Sequence, residues 1–231
     1  VTLPESRNDL LTEIINHPDV ALVVATGGRK MMSHVLCSPK RVIAGGPANP
    51  VAIVDETADL AKAAKDISDG ASFDNNIMCI SEKCIVAVES IVPAFVKQLE
   101  ENGVYYIDNE TEMLQLTKTV LNHDMKMVRK MEGKSAMDIL EEAGIHPNRP
   151  VRLVVVRTFA KHPLVLEECL MPVVPLVAVA DFEEALETAL FTEQGYRHTA
   201  MVHSQCIDRL SKAAKIMNCL LYTSDAADEL D

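Results

Sequence analysis

No apolar run reaches the ~18 residues that a membrane-spanning helix needs, so the sequence excludes such a helix. No two cysteines stand three apart, and the six present therefore form no zinc-ribbon or thioredoxin-type pair. No basic-then-apolar leader opens the chain, and a core-rich chain needs no disulfides. Free thiols in a reducing cytosol are expected. Positive charge is scarce: 22 Lys and Arg face 34 Asp and Glu, a net charge of −12. That excludes a broadly cationic surface for nucleic acid or anionic lipid, while a local basic patch stays open. Repeats and low-complexity segments are also absent. What remains is 231 residues, 48% apolar and 24% charged, enough for one large domain or two small ones with a real core.

The chain opens on Val1 without an initiator Met. Its end, Cys219-Leu-Leu-Tyr-Thr-Ser-Asp-Ala-Ala-Asp-Glu229, is similar to a translated transposon-end sequencing adapter. On that reading residues 219–231 are not native. Asp225, Asp228, Glu229 and Asp231 leave with them, taking the charge from −12 to −8, and the chain is an internal fragment. A native acidic tail is the alternative.

Strand and helix patterns alternate along the rest. A helix is predicted over 8–16, with Asn8 as its cap, and a buried strand over 20–25 entering the turn Thr26-Gly27-Gly28. Strands follow at 41–44 and 51–54, then a helix from Thr57 to Gly70. Further strands are expected at 85–88, 153–156, 173–179 and 198–203. Helices are expected at 93–101, 110–121, 135–143 with a Ser135/Asp138 capping box, 182–190 capped by Asp181, and 206–217. Such alternation predicts an α/β fold with a mainly parallel sheet.

The segment Gly70-Ala-Ser-Phe-Asp-Asn-Asn-Ile-Met-Cys79-Ile-Ser-Glu-Lys83 places a thiol after a polar turn and before a strand. A thiol there can be sheltered yet reachable, as a nucleophile must be. On pattern alone a core cysteine is the better reading. However, this segment, with Asp55-Glu-Thr-Ala-Asp-Leu60, resembles the aldehyde dehydrogenase superfamily. The resemblance is strongest to the CoA-acylating branch of ethanolamine and propanediol utilisation, whose Gly-Ala-Ser-Phe-Asp-x-Asn-x-x-Cys-x-x-Glu-Lys pattern stands here in full. It continues through Glu168-x-x-Met171-Pro172-Val173, His198-Thr199-Ala200 and His203-Ser204. It covers residues 7–218, about half of a full-length member.

The resemblance implies that Cys79 is the nucleophile, attacking an aldehyde carbonyl and then carrying the acyl group as a thioester. The Cys79 N–H would stabilise the oxyanion. The family's second donor lies in a Ser-Thr-Asn-Pro loop that this sequence does not contain. Hydrolytic members use a glutamate to activate water. Here the matching stretch is Ile43-Ala44-Gly45-Gly46-Pro47, and no carboxylate occurs between Lys40 and Asp55. A thiol is the better nucleophile without that base, which favours transfer to CoA over hydrolysis.

For the cofactor, the resemblance implies NAD, with Thr26, Gly27 and Gly28 near its pyrophosphate, Gly46 near the nicotinamide and Glu168 on the ribose hydroxyls. By pattern alone the Gly-Gly turn is an ordinary strand-to-helix turn and Glu168 a solvated helix charge beside Glu167. Pro47-Ala48 departs from the commoner Ala-Gly of the family. His198 and Asn76 are further active-site candidates by the same resemblance. For His198 the roles are substrate orientation or CoA contact, with a satisfied core histidine as the alternative. His198 and His203, five apart on an expected strand, make a poor metal pair, and no metal is expected. Cys84, Cys37, Cys169 and Cys206 read as structural.

The expectation is thus an aldehyde dehydrogenase-like α/β fold. Residues 1–47 end the NAD-binding domain and 48–218 form an incomplete catalytic domain. The full-length parent would be an NAD-dependent, CoA-acylating dehydrogenase oxidising acetaldehyde or propionaldehyde to the acyl-CoA. Its partners would be the aldehyde and CoA, with no nucleic acid and no membrane. It would be a homo-oligomer in the cytoplasm or in a bacterial microcompartment lumen, beside shell or lumen proteins. The alternatives are a truncated chain without turnover, acting as a folding remnant or interaction module, and a hydrolytic or phosphate-dependent relative.

Overall fold

The computed structural model describes residues 7–219 and 221–223. The chain divides into two compact units, Val1–Pro47 and Ala48–Asp231.

The first unit holds α1 (Asn8–Asn16), β1 (Leu22–Thr26), α2 (Arg29–Leu36) and β2 (Arg41–Gly45). The two strands pair in parallel, from Leu22 opposite Arg41 to Thr26 opposite Gly45. Ile15, Ala25, Met32 and Val35 make a small core. Helix α1 takes in Asn8 itself, so the cap position falls on Arg7, whose side chain makes no cap bond.

The second unit contains β3 (Val51–Val54), α3 (Leu60–Ser72), β4 (Cys84–Val88), α4 (Val92–Glu101), β5 (Val104–Ile107), α5 (Glu110–Val120) and α6 (Ala136–Glu142). It continues with β6 (Leu153–Thr158), α7 (Pro163–Leu166), β7 (Val173–Val179), α8 (Phe182–Glu193), β8 (Thr199–His203), α9 (Ile207–Met217) and β9 (Leu221–Thr223). Seven strands form one sheet in the order β5-β6-β7-β4-β3-β8-β9, and every pairing among them is parallel. Of the tail expected to be foreign, residues 220 and 224–231 lie outside the described residues. Leu221–Thr223 runs beside Thr199, Ala200 and Met201.

Helices cover both faces, and the strand side chains alternate between two cores. Ala52, Val54, Ile85, Ala87, Leu153 and Val155 meet α3 and α4 through Ala64, Ile67, Phe95 and Leu99. Val51, Ile53, Cys84 and Val86 face α8 and α9 through Ala185, Leu186, Ala189, Ala213 and Met217. Val154 and Val156 join a third cluster under α5 and α6 with Leu116, Val120, Ile139 and Leu140. Each fully buried Val, Leu, Ile, Phe or Met among these contributes about 1.5–3 kcal/mol by leaving water. This two-sided burial is why the strands read as unbroken apolar runs.

Caps fix the helix starts. Asp181 accepts from the Glu184 N–H (3.0 Å) and Ser135 from the Asp138 N–H (3.2 Å). Helix α3 begins three residues after Thr57, because the Thr57 hydroxyl is bonded to Asp55 (2.6 Å) and Asp59 caps instead, accepting from the Lys62 N–H (3.0 Å). Among the described residues no helix is long and apolar enough to cross a membrane.

Candidate active site

Helix α3 runs into a 3₁₀ turn, Phe73–Asn76, in which Asp74, Asn75 and Asn76 all take left-handed φ values of 47°, 52° and 58°. Asp and Asn are the side chains that tolerate this region best after glycine, so the polar run of the motif is a backbone requirement. Side-chain bonds hold the turn. Asn75 donates to the Gly133 carbonyl (2.9 Å) and the buried Asn76 amide to the Glu82 carbonyl (3.0 Å). The Lys83 ammonium, 1% exposed, donates to both the backbone oxygen and Oδ1 of Asn76, at 2.6 Å each. Residues 76 and 83 thereby close a loop with Cys79 at its middle, half-buried and just ahead of β4. Phe73, Ile77, Met78 and Ile80, its neighbours along the chain, are exposed apolar side chains.

The glycine that opens the motif serves the glutamate that nearly ends it. A Cβ on Gly70 would sit 2.5 Å from Glu82 Oε2. Most of the motif is therefore scaffold for the loop, and Cys79 is its one thiol.

Burial controls the charges beneath the loop. It pushes the Lys83 ammonium down to about 8, an effect that the neighbouring acidic groups, Glu168 foremost, oppose. It pushes the Glu82 carboxyl up to about 7, and among the described residues Glu82 Oε2 has no hydrogen-bond partner. Burial also raises Glu168, which the Ala48 N–H partly offsets at 3.5 Å. Lys83 thus lies within electrostatic reach of both Cys79 and Glu168, which the sequence separates widely. Glu168 is not a helix charge: it follows α7 and is partly buried. Its neighbour Glu167 is the residue that pairs outward, with Lys126 (2.7 Å) and the Met127 N–H (3.1 Å).

The other candidates fall in separate places. His198 lies in the turn before β8 rather than on the strand, so the strand-face argument against pairing it with His203 does not apply. Its Nδ1 shares a 2.7 Å hydrogen bond with the Thr199 hydroxyl, and burial lowers its pKa. Cys84 and Cys169 are sealed, with burial pushing both thiols up to about 12, while Cys37 is exposed and Cys206 partly so. In the first unit, Thr26 ends β1, and Gly27 has φ +151° while its N–H donates to the Gly45 carbonyl (3.2 Å). Gly28 occupies the cap position of α2, and a Cβ at Gly28 or Gly46 would meet nothing within 4 Å. Among the described residues no three His, Cys, Asp or Glu side chains are grouped to hold a metal.

Two clusters escaped the sequence reading. Asp55 and Ser204, quoted in separate motifs, meet at 2.6 Å, with Thr57 and Arg209 completing the group. Burial pushes the Asp55 carboxyl up, but the bonds from Ser204, Thr57 and Arg209 outweigh it and hold it below the usual range. Glu193, buried at the end of α8, binds the turn that carries His198. Its position inside a run of helix acids gave no signal.

Comparison with known proteins decides the family. The profile of the aldehyde dehydrogenase family matches residues 1–220. The chain belongs to that family. Among its members, the CoA-propanoylating propanal dehydrogenase of Salmonella typhimurium is 39% identical over 97% of this chain and 48% of its own length. The acetylating acetaldehyde dehydrogenase EutE of the same organism is 35% identical, over 97% and 49%. A propionaldehyde dehydrogenase of Rhodopseudomonas palustris, solved with bound CoA and an acylated cysteine, superposes with a TM-score of 0.89 at 36% identity, covering 93% of this chain and 49% of that one. An engineered glycolyl-CoA reductase with bound NADP+ gives 0.89 at 38%, over 94% and 49%. A propionaldehyde dehydrogenase of a Clostridium phytofermentans fucose utilisation microcompartment gives 0.90 at 36%, over 95% and 50%. The chain spans about half the length of these relatives, of which the two Salmonella enzymes are acylating dehydrogenases by name.

Proposed function

We propose that this chain carries the nucleophile of an NAD-dependent, CoA-acylating aldehyde dehydrogenase acting on a short aldehyde, acetaldehyde or propionaldehyde. The observation that carries the reading is the closed loop of Asn76, Glu82 and Lys83, which presents the half-buried Cys79 among exposed apolar side chains. The Cys79 sulfur forms a bond to the carbonyl carbon, and its backbone N–H is the chain's donor to the developing oxyanion. That addition gives a thiohemiacetal. Loss of a hydride from its carbon, for which the bound dinucleotide would be the acceptor, leaves a thioester on Cys79, and attack by the thiol of CoA transfers the acyl group and frees the Cys79 sulfur. Ile77, Met78 and Ile80 give a short alkyl chain an apolar surface, and the buried Lys83 stabilises negative charge forming at the loop.

Each unit, taken by itself, carries residues that suit part of a dinucleotide. The open space over Gly28 and Gly46 lets a ligand approach the backbone, and the N-terminus of α2, which has no side-chain cap, suits a phosphate. Thr26 and Gly27 shape that turn, and the Glu168 carboxylate suits a pair of ribose hydroxyls. When bound, the dinucleotide supplies the oxidant. Residues 1–47 are then the end of its binding domain and 48–218 part of the catalytic domain. The whole protein is proposed to be a homo-oligomer of the cytoplasm or of a microcompartment lumen, by analogy with the microcompartment relative. For this chain alone we propose acylation at Cys79 without NADH formation.

The test separates transfer from hydrolysis. The chain is acylated with propionyl-CoA, freed of excess reagent, and left in buffer with or without fresh CoA while the acyl group on Cys79 is followed by mass. Rapid loss only with CoA is expected. Equal loss in buffer alone overturns the acylating assignment in favour of a hydrolytic one.

A further inference from the structure

Glu193 breaks a local rule. It is the last residue of α8, where a negative charge opposes the helix dipole, and it is only 4% exposed. A buried carboxylate in that position needs compensation, and it has two charge-assisted bonds. Its Oε1 accepts from the Gly195 N–H at 2.9 Å and its Oε2 from the Arg197 N–H at 2.8 Å. The turn it clamps is unusual in itself: Gln194, Gly195 and Arg197 have φ values of 57°, 76° and 50°. Two of those three are not glycine, so the backbone would relax without an outside hold. Gln194 adds a second anchor, donating to the Leu166 carbonyl at 2.6 Å. The next residue along is His198, whose ring bonds Thr199 at the buried start of β8.

We infer that Glu193 is the positioning residue for His198, fixing through the Gly195 and Arg197 amides where the imidazole stands relative to the acyl-transfer site. This rests on the reading of His198 as an active-site residue. Glu193 touches no reacting atom, and its effect passes wholly through the turn. Cys79 and His198 lie just ahead of β4 and β8, which flank β3 in one parallel sheet, so their two loops stand at the same end of that sheet.

Two measurements on the chain test this. The first is an NMR titration of the His198 ring in the wild type, Glu193→Ala and Glu193→Gln. Gln keeps the size but accepts through one oxygen only, so it retains the fold if alanine does not. The His198 midpoint, held low by burial, is expected to rise toward the ordinary value in both variants, more in the alanine. An unmoved His198 signal in folded Glu193→Gln overturns the inference. The second is the rate at which propionyl-CoA acylates Cys79. Glu193→Ala is expected to slow it about 10²-fold, the scale of a small misplacement. His198→Ala should match that loss, and the double variant should lose no more. Losses that multiply overturn the inference. If His198→Ala keeps the full rate while the His198 titration still moves in the Glu193 variants, the clamp stands and the active-site reading of His198 fails.

Discussion

Two thiols five residues apart have opposite fates. Cys79 sits half-exposed in a turn held by Asn76 and Lys83, whereas Cys84 is the first residue of β4, fully sealed against α8 and α9, with burial pushing its thiol up to about 12. Both are cysteines in apolar surroundings. The left-handed turn before the first and the parallel sheet around the second make the difference. Backbone geometry leaves the one thiol reachable, while the strand cysteine is core.

The sharpest way to break this contrast is to remove each sulfur. Cys79→Ala should reduce acylation by propionyl-CoA to background, and Cys84→Ala should leave it intact, both read by intact mass. Loss in the second variant with the fold retained would erase the distinction. Next in size, Ile85→Ala on the same strand should cost about 2–5 kcal/mol of stability in a urea titration without changing the labelling of Cys79 in the folded protein. Gly70→Ala attacks the loop from below. Its Cβ meets the Glu82 carboxyl, and a loss of about 1–3 kcal/mol is expected, with slower labelling as the loop shifts.

The smallest effect is a pH slope. Glu82 is raised from 4.5 to about 7, so the folded state keeps its proton where the unfolded chain has released it. Stability should therefore fall as pH rises from 4.5 to 7 and level off above. Lys83, lowered from 10.5 to about 8, gives the mirror case, with stability rising from pH 8 to 10.5. Glu82→Gln should flatten the lower window and spare the upper one. Urea midpoints across both windows check this, and an unchanged lower slope would show that Glu82 is not the group responsible.

Much of this fold was legible from the amino acids. Strands buried on both faces, such as 51–54 and 173–179, read as continuous apolar runs, and Asp181 and Ser135 announced their helices. Strand β5 was missed because Val104-Tyr-Tyr-Ile107 is only four residues long, directly follows the left-handed Gly103 and is half-exposed at its centre. The single turn of α7 gave no periodicity to find. At the site, the motif located Cys79, but the roles of its companions were hidden. Lys83 resembles a surface lysine until its bond to Asn76, seven residues back, is seen, and Glu193 resembles the other acids of α8. The Gly70–Glu82 contact joins a helix to a turn, and no local pattern reports such a contact.

The central claim is that Cys79, and no other cysteine, accepts the acyl group. Incubating the chain with propionyl-CoA and mapping the propionyl group by peptide mass spectrometry tests it directly. The account predicts modification of Cys79 with Cys37, Cys84, Cys169, Cys206 and Cys219 unmodified. A propionyl group on any of those five, with Cys79 left free, would contradict it.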